Sequence, residues 1–584
     1  MSNRLLLVGW DAADWKILHP LIDAGEMPAL RRIVETGASG ALLSVQPMAP
    51  VAQWTSMATG KRPWQHRVCH PAIATRSRSF SLWEILGKAG KRSLVVGWPV
   101  THGSQPQNTV LVSERYAHPT AAPNIKPWPP APPATYWPHE IGGRLDPLRM
   151  SPQDVQADVI SRYVPDWKKI DQNRDRRLGQ LRLFLATDFS YQAAMMSLLS
   201  GGNWDFAAVR FPALGAISPI FLPEAEVGLY QNVIRNACRR LDSMLRLLVQ
   251  AAGTSASIVV VSPHGVNQRP GPVSDNEAWK SPHGIFAACG SAFASDALVF
   301  GATALDVTPT ILTYFGLPIG DDMEGRVLLE SFAKPPEVTR VPSWEQTPSA
   351  IPEDTVCPDE SIRREADLNL ARSYLDAARY EEARVVLERL FRAFPERADL
   401  AHSLFHCQLT LARHADAAET LEVLLEGVPP GIWSILPRAE LCVARKQFSE
   451  ARSLASQALH LRPTHPDALR RLGMLLLRLR EWSALAELTK QALKLDDNEP
   501  LAWLGLAEAQ LRKKLAAEAE EAAMRAIGLN YYMPQAHFAL ARAFIAQGKW
   551  DQARETMQAL LQLQPNNRAA ATYASRIREP SPPS

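Results

Sequence analysis

Ser257-Ile258-Val259-Val260-Val261-Ser262-Pro263-His264-Gly265 decides how the first half of the chain is read. Its apolar, β-branched run predicts a strand buried on both faces, as in a parallel sheet. The Pro-His-Gly segment follows the strand's carboxyl end, where an open α/β sheet presents its chemistry. Similar runs predict strands at Leu5–Gly9, Leu94–Trp98, Phe206–Arg210 and Ile285–Cys289, separated by longer helical stretches up to about Ser331. The alternation predicts an α/β fold over residues 1–335, a mostly parallel sheet flanked by helices. Proline crowds Pro106 to Pro138, including Pro127-Trp128-Pro129-Pro130-Ala131-Pro132-Pro133. That density disfavours strand and helix interiors and predicts an irregular cap at about 103–170. A proline-bearing, acidic stretch at 336–362 reads as a linker.

The second half repeats. Ala371, Phe405, Ala439, Gly473, Ala507 and Ala541 are spaced by 34 residues, and so are Ala383, Ala417, Ala451, Leu485, Ala519 and Ala553. Apart from Phe405 and Leu485, small residues at these positions let the two helices of a hairpin approach closely. Pro395, Pro429, Pro463 and Pro565 stop the second helix in four of the units, with Asp497 and Tyr531 at that place in the others. This is the tetratricopeptide pattern, six units over 363–575 without insertion or deletion. It predicts an all-α solenoid whose groove takes a protein or peptide partner. Groove-facing candidates are Leu368, His402, Leu436, Arg470, Leu504 and Phe538, with a neighbouring row of Arg372, His406, Glu440, Met474, Glu508 and Arg542. Their mixed chemistry does not resemble the Asn/Lys clamp of chaperone adaptors. Residues 576–584, ending Pro580-Ser581-Pro582-Pro583-Ser584, read as a disordered tail.

Composition narrows the partners. The net charge of +3 on 584 residues gives no electrostatic case for nucleic acid or an anionic membrane. No stretch approaches the length of a transmembrane helix, and Leu5-Leu6-Leu7-Val8 is too short for a signal sequence. Six cysteines (Cys69, Cys238, Cys289, Cys357, Cys407 and Cys442) lie scattered without metal-binding or disulfide spacing. Reduced thiols and a cytoplasmic location follow as expectations.

Two further segments carry chemistry. Trp10-Asp11-Ala12-Ala13-Asp14-Trp15 follows the first strand, where Asp11 is placed to hold a divalent metal and Asp14 fits a helix N-cap better. Trp54-Thr55-Ser56-Met57-Ala58-Thr59-Gly60-Lys61 reads as a polar elbow opening a helix, with the Thr55 hydroxyl near its N-terminus. Together with Gly25-Glu26-Met27-Pro28-Ala29-Leu30, Ser262-Pro263-His264-Gly265 and Leu305-Asp306-Val307-Thr308-Pro309-Thr310, these segments resemble the alkaline phosphatase superfamily in its type I phosphodiesterase/nucleotide pyrophosphatase branch. Phe315-Gly316-Leu317-Pro318 and Met323-Glu324-Gly325-Arg326 extend the resemblance, in family order, over about residues 3–331. It looks closest to bacterial members with tetratricopeptide repeats behind the hydrolase domain.

The resemblance implies two metals, usually zinc, and a Thr or Ser nucleophile. Asp11, Thr55 and His264 match that pattern. Pro263 stands where an Asp is expected, Gly215 and Pro219 where an Asp and a His are expected, and Lys280 where a His follows Trp279. Glycine, proline and lysine supply no zinc ligand in the usual way, so the remaining donors hold at most one divalent metal weakly. His283 is a candidate replacement for the lost histidine. Alternatively, the Lys280 ammonium sits where a metal would, leaving an anion-binding pocket for a phosphorylated or sulfated ligand; in a third reading His264 is an ordinary core histidine with no metal bound. The leading expectation is a catalytically impaired phosphodiesterase-like pseudoenzyme fused to a tetratricopeptide scaffold. Beside it stand an active phosphoesterase with one metal or a rearranged site built on Asp11, Thr55, His264 and His283, and an adaptor whose hydrolase-derived domain is inert.

Overall fold

The computed structural model describes residues 4–73, 77–117, 127–224, 228–266, 280–345, 359–564 and 567–576. The chain divides into two compact units, Met1–Ala377 and Ala378–Ser584.

In the first unit the strands are β1 (Arg4–Trp10), β2 (Ala38–Leu43), β3 (Ser93–Val96), β4 (Thr109–Val112), β5 (Tyr136–Trp137), β6 (Phe206–Phe211), β7 (Ala256–Ser262), β8 (Gly265–Val266), β9 (Lys280–Ser281), β10 (His283–Cys289) and β11 (Ala297–Thr303), with a short separate pair, β12 (Ile319–Gly320) and β13 (Arg340–Val341). Nine of them form one sheet in the order β11-β2-β10-β7-β1-β6-β3-β4-β5, while β8 and β9 pair as a small antiparallel ribbon. From β7 across β1, β6 and β3 to β4 the pairing is parallel; β10 runs antiparallel to both β7 and β2. The mostly parallel α/β sheet expected from the sequence is thus present, and all five expected strands lie in it.

Alternation explains why the centre is stable. In β1, Leu6, Val8 and Trp10 face one apolar layer and Leu5 and Leu7 the other. In β7, Ile258 and Val260 face the first layer, Val259 and Val261 the second. Period-two side chains buried on both faces are what helices on both sides of a parallel sheet require.

The expectation of an irregular cap needs one correction. Thr109-Val110-Leu111-Val112 is free of proline and pairs with β3, while Tyr136-Trp137 pairs with β4 at the sheet edge. Proline counts averaged over Pro106–Pro138 hid a four-residue strand between them. Residues 118–126 of that region, 346–358 of the expected linker and 577–584 of the expected tail lie outside the described residues.

The helix Glu360–Asp376 belongs to the first unit. Asn369 Nδ2 donates to the Cys69 carbonyl at 3.0 Å, and Ser373 Oγ accepts from the Trp64 amide at 3.1 Å. Tyr374 stacks on Trp64 with ring centroids 6.2 Å apart, and Asp376 pairs with Arg62. A fragment ending at residue 345 would expose Trp64 and Cys69. It is expected to melt several degrees below a fragment ending at residue 377, as thermal denaturation of the two would show. Equal melting temperatures would contradict the docking of this helix.

In the second unit the 34-residue register is reproduced element by element. First helices begin at Ala398, Ile432, Pro466, Pro500 and Pro534, and second helices at Tyr380, His414, Phe448, Trp482, Ala516 and Trp550. Ala383, Ala417, Ala451, Leu485, Ala519 and Ala553 are all buried, as close helix approach requires. The turn between the helices adopts a left-handed residue in the same register, at Ala378, Ala412, Lys446, Arg480, Lys514 and Gly548. Such a residue ends a helix and frees the chain to reverse. Of the groove-facing candidates, Leu436 and Leu504 are instead buried in the interhelical core and Leu368 is buried in the first unit.

Candidate functional site: an arginine on the buried aspartate

The site lies where β1, β6 and β7 end side by side. Gly9 of β1 is paired with Arg210 of β6 and Val261 of β7, so Asp11, Arg210 and His264 reach one space from three neighbouring strands. A Cβ at Gly9 would stand 2.7 Å from the Trp54 ring, so the absence of a side chain there admits the indole. Trp54 comes from the helix Pro50–Thr59, and its carbonyl accepts a hydrogen bond from Trp98 Nε1 at 3.2 Å.

Asp11 is 5% exposed and has three partners. Arg210 Nη2 lies 2.7 Å from Oδ2. Trp54 Nε1 donates to Oδ1 at 3.0 Å, and His264 Nε2 lies 3.3 Å from Oδ1. The Arg210 guanidinium also sits over the Trp54 ring, 5.3 Å from its centroid. Burial pushes the Asp11 carboxyl up, but the Arg210 charge and the contacts from His264 and Trp54 outweigh it and hold the group below the usual carboxylate range. The carboxylate that the resemblance assigns to a metal is therefore held by a fixed side-chain cation. The other His264 nitrogen, Nδ1, lies 3.1 Å from the Gly265 carbonyl.

The residues do not fit the binuclear centre implied by the resemblance. Gly215 is indeed beside Asp11: a Cβ built there would stand 2.9 Å from Asp11 Cγ and Oδ2. The place expected for a second carboxylate thus has no room for any side chain while Asp11 takes its present position. Pro219 lies in the interior of the helix Ala213–Phe221, and Pro263 supplies only its carbonyl, which accepts from Ser44 Oγ at 2.7 Å. Among the described residues, no three His, Cys, Asp or Glu side chains converge to hold a metal ion.

Thr55 does not open its helix, contrary to expectation. The helix begins at Pro50 and its N-cap is Ala49, which has no hydroxyl. Thr55 lies in the second turn, buried, with Oγ1 donating to the Val51 carbonyl at 2.7 Å. It lines a separate pocket of about 30 Å³ with Ser81, Glu84 and Thr101. Lys280, on β9, donates from Nζ to the Met48 carbonyl at 2.9 Å, next to the true start of that helix. His283 opens β10 opposite Leu43 and is buried. Asp14 is the N-cap of the helix Trp15–Asp23, accepting from the Lys16 amide at 2.8 Å, as its position suggested.

Three residues escaped the sequence reading. Arg210 and Trp54 carried no signal beyond being a charge at a strand end and an aromatic in a motif. Asp188, in the helix Arg177–Leu199, is buried and accepts from the Ala213 amide at 3.2 Å. Burial pushes its carboxyl up to about 8, against the pull of that amide and of Arg210. A carboxyl whose folded value is raised binds more protons folded than unfolded, so its effect on stability worsens from about pH 4 up to pH 8. Asp188→Asn is therefore expected to raise the melting temperature more at pH 8 than at pH 5. Equal shifts at the two pH values would contradict this protonation state.

Residues 5–280 match the sequence profile of the type I phosphodiesterase/nucleotide pyrophosphatase family. Residues 368–432 and 534–567 match tetratricopeptide repeat profiles. The chain thus joins a domain of the type I phosphodiesterase/nucleotide pyrophosphatase family, within the alkaline phosphatase superfamily, to C-terminal tetratricopeptide repeats. No curated protein matches it in sequence. Among solved structures, the APC/C hetero-tetramer Cut9-Hcn1 is 16% identical over 37% of this chain, with a TM-score of 0.33; the match spans 43% of that chain. Pseudomonas aeruginosa pilF is 19% identical over 36% of this chain and 97% of its own, with a TM-score of 0.29. The first TPR of Spaghetti (RPAP3), bound to an HSP90 peptide, is 23% identical over 19% of this chain and 89% of its own, with a TM-score of 0.19. No helix among the described residues is long and apolar enough to cross a membrane.

Proposed function

We propose that the chain is a catalytically impaired phosphodiesterase-like protein that acts through its tetratricopeptide repeats. The observation that carries this reading is the Arg210–Asp11 ion pair, 2.7 Å long and buried at the joined ends of three strands. A dication approaching Asp11 would meet a guanidinium already paired with Oδ2, which no buffer or pH near neutrality removes. Ala49 at the helix start and Gly215 against Asp11 support the same conclusion, because neither supplies a nucleophile or a ligand. The repeats supply the partner-binding surface, taking a protein or peptide, in a protein of the cytoplasm.

The test is hydrolysis of bis-nitrophenyl phosphate by the full chain with zinc, manganese or magnesium added. Background rates, unchanged in Asp11→Asn, are expected. Turnover abolished by Asp11→Asn would overturn the proposal and favour the active single-metal reading.

A further inference from the structure

In the second unit the first helices of successive hairpins line two cavities that adjoin along the helix Pro466–Leu479. One, of about 570 Å³, includes Glu440, Arg471, Met474 and Arg478 in its wall. The other, of about 380 Å³, includes Leu477, Arg480, Trp482, Glu508, Arg512 and Phe538. Each is large enough for peptide side chains.

Their charges are not balanced. Glu440 is forked by Arg471 at 2.9 and 2.8 Å, and the remaining Arg471 nitrogen lies 2.8 Å from His402 Nε2. His406 Nε2 lies 3.2 Å from the same His402 atom. Burial first, then the neighbouring charges, pushes both imidazoles down to about 4, so they are neutral at pH 7. Glu508 is held by Arg542 at 2.8 and 3.0 Å. Both glutamates in the cavity walls are thus used up by internal arginines. Arg478, Arg480 and Arg512 make no ion pair among the described residues, and Arg512 lies over the Trp482 ring at 4.7 Å from its centroid.

We infer that this face binds an acidic linear segment of another protein, with carboxylates on Arg478, Arg480 and Arg512 and apolar side chains against Met474, Leu477, Trp482 and Phe538. Guanidinium groups beside aromatic and aliphatic surface favour a peptide that alternates acidic with apolar residues. The inference rests on the repeats being the partner-binding part of the chain.

The full chain is titrated into a fluorescent peptide alternating glutamate with leucine and phenylalanine, and into its counterpart with lysine for glutamate, reading anisotropy. Saturable binding of the glutamate peptide alone is expected, weakening with salt and falling about tenfold or more in Arg478→Glu/Arg512→Glu. A circular dichroism melt matching wild type shows that the exposed substitutions leave the fold intact. Undiminished binding by a folded double variant overturns the site. Preference for the lysine peptide overturns the charge assignment but leaves the repeats as a peptide-binding surface. Binding of neither peptide contradicts that underlying reading as well. A single-stranded DNA oligonucleotide bound more tightly than the glutamate peptide overturns the assignment to a protein partner.

Discussion

Arg210→Ala is expected to destabilise the first unit by about 3–5 kcal/mol, because it leaves the buried Asp11 carboxylate without its cation. Asp11→Asn alone is expected to cost a similar amount, since the guanidinium then stands beside Trp54 without a counter-charge. Combining Asp11→Asn with Arg210→Met should recover much of the loss, giving a coupling of several kcal/mol between the two sites. The pH dependence fixes the sign. Asp11 has a folded value below the usual carboxylate range, so its contribution is present above the unfolded value near ~4 and is lost as pH falls through the folded one. The gap between wild type and Arg210→Ala should therefore narrow in strong acid. Chemical denaturation across pH would check it, and a constant gap would mean that packing rather than charge dominates.

The second large effect concerns catalysis. Removing one preorganised electrostatic contact from a hydrolase typically costs about 10²–10³ in rate. Here Gly215 and Pro263 replace two carboxylates of the expected site, and Ala49 occupies the helix start. Phosphodiester cleavage is expected to fall at least about 10⁴-fold below that of a metal-loaded relative with both carboxylates. Thr55→Ala should change nothing, because its hydroxyl is committed to the Val51 carbonyl. A rate lowered by Thr55→Ala would return that residue to the site.

Much of the fold was readable because burial leaves regular marks. β1 and β7 are continuous apolar runs, and the repeats keep a 34-residue register without a slip, with small residues at most of its positions. β2, reading Ala38-Ser39-Gly40-Ala41-Leu42-Leu43, was missed because small residues replace the usual branched ones. A Cβ at Gly40 would meet the Val299 carbonyl at 2.1 Å, which explains why this strand is built so lightly.

The site was legible only in part. Asp11 and His264 could be placed just beyond strand ends from the apolar runs that precede them. Arg210 could not, because it meets Asp11 across 199 residues and nothing local distinguishes it from a surface arginine. The start of the Thr55 helix is legible in Pro50, a typical first residue of a helix five positions earlier.

The most direct test is the zinc content of the purified full chain after equilibration with excess zinc and desalting, measured by native mass spectrometry beside Asp11→Asn. No zinc whose binding depends on Asp11 is the predicted result, since Arg210 already occupies the carboxylate. Two equivalents that disappear in Asp11→Asn would contradict it.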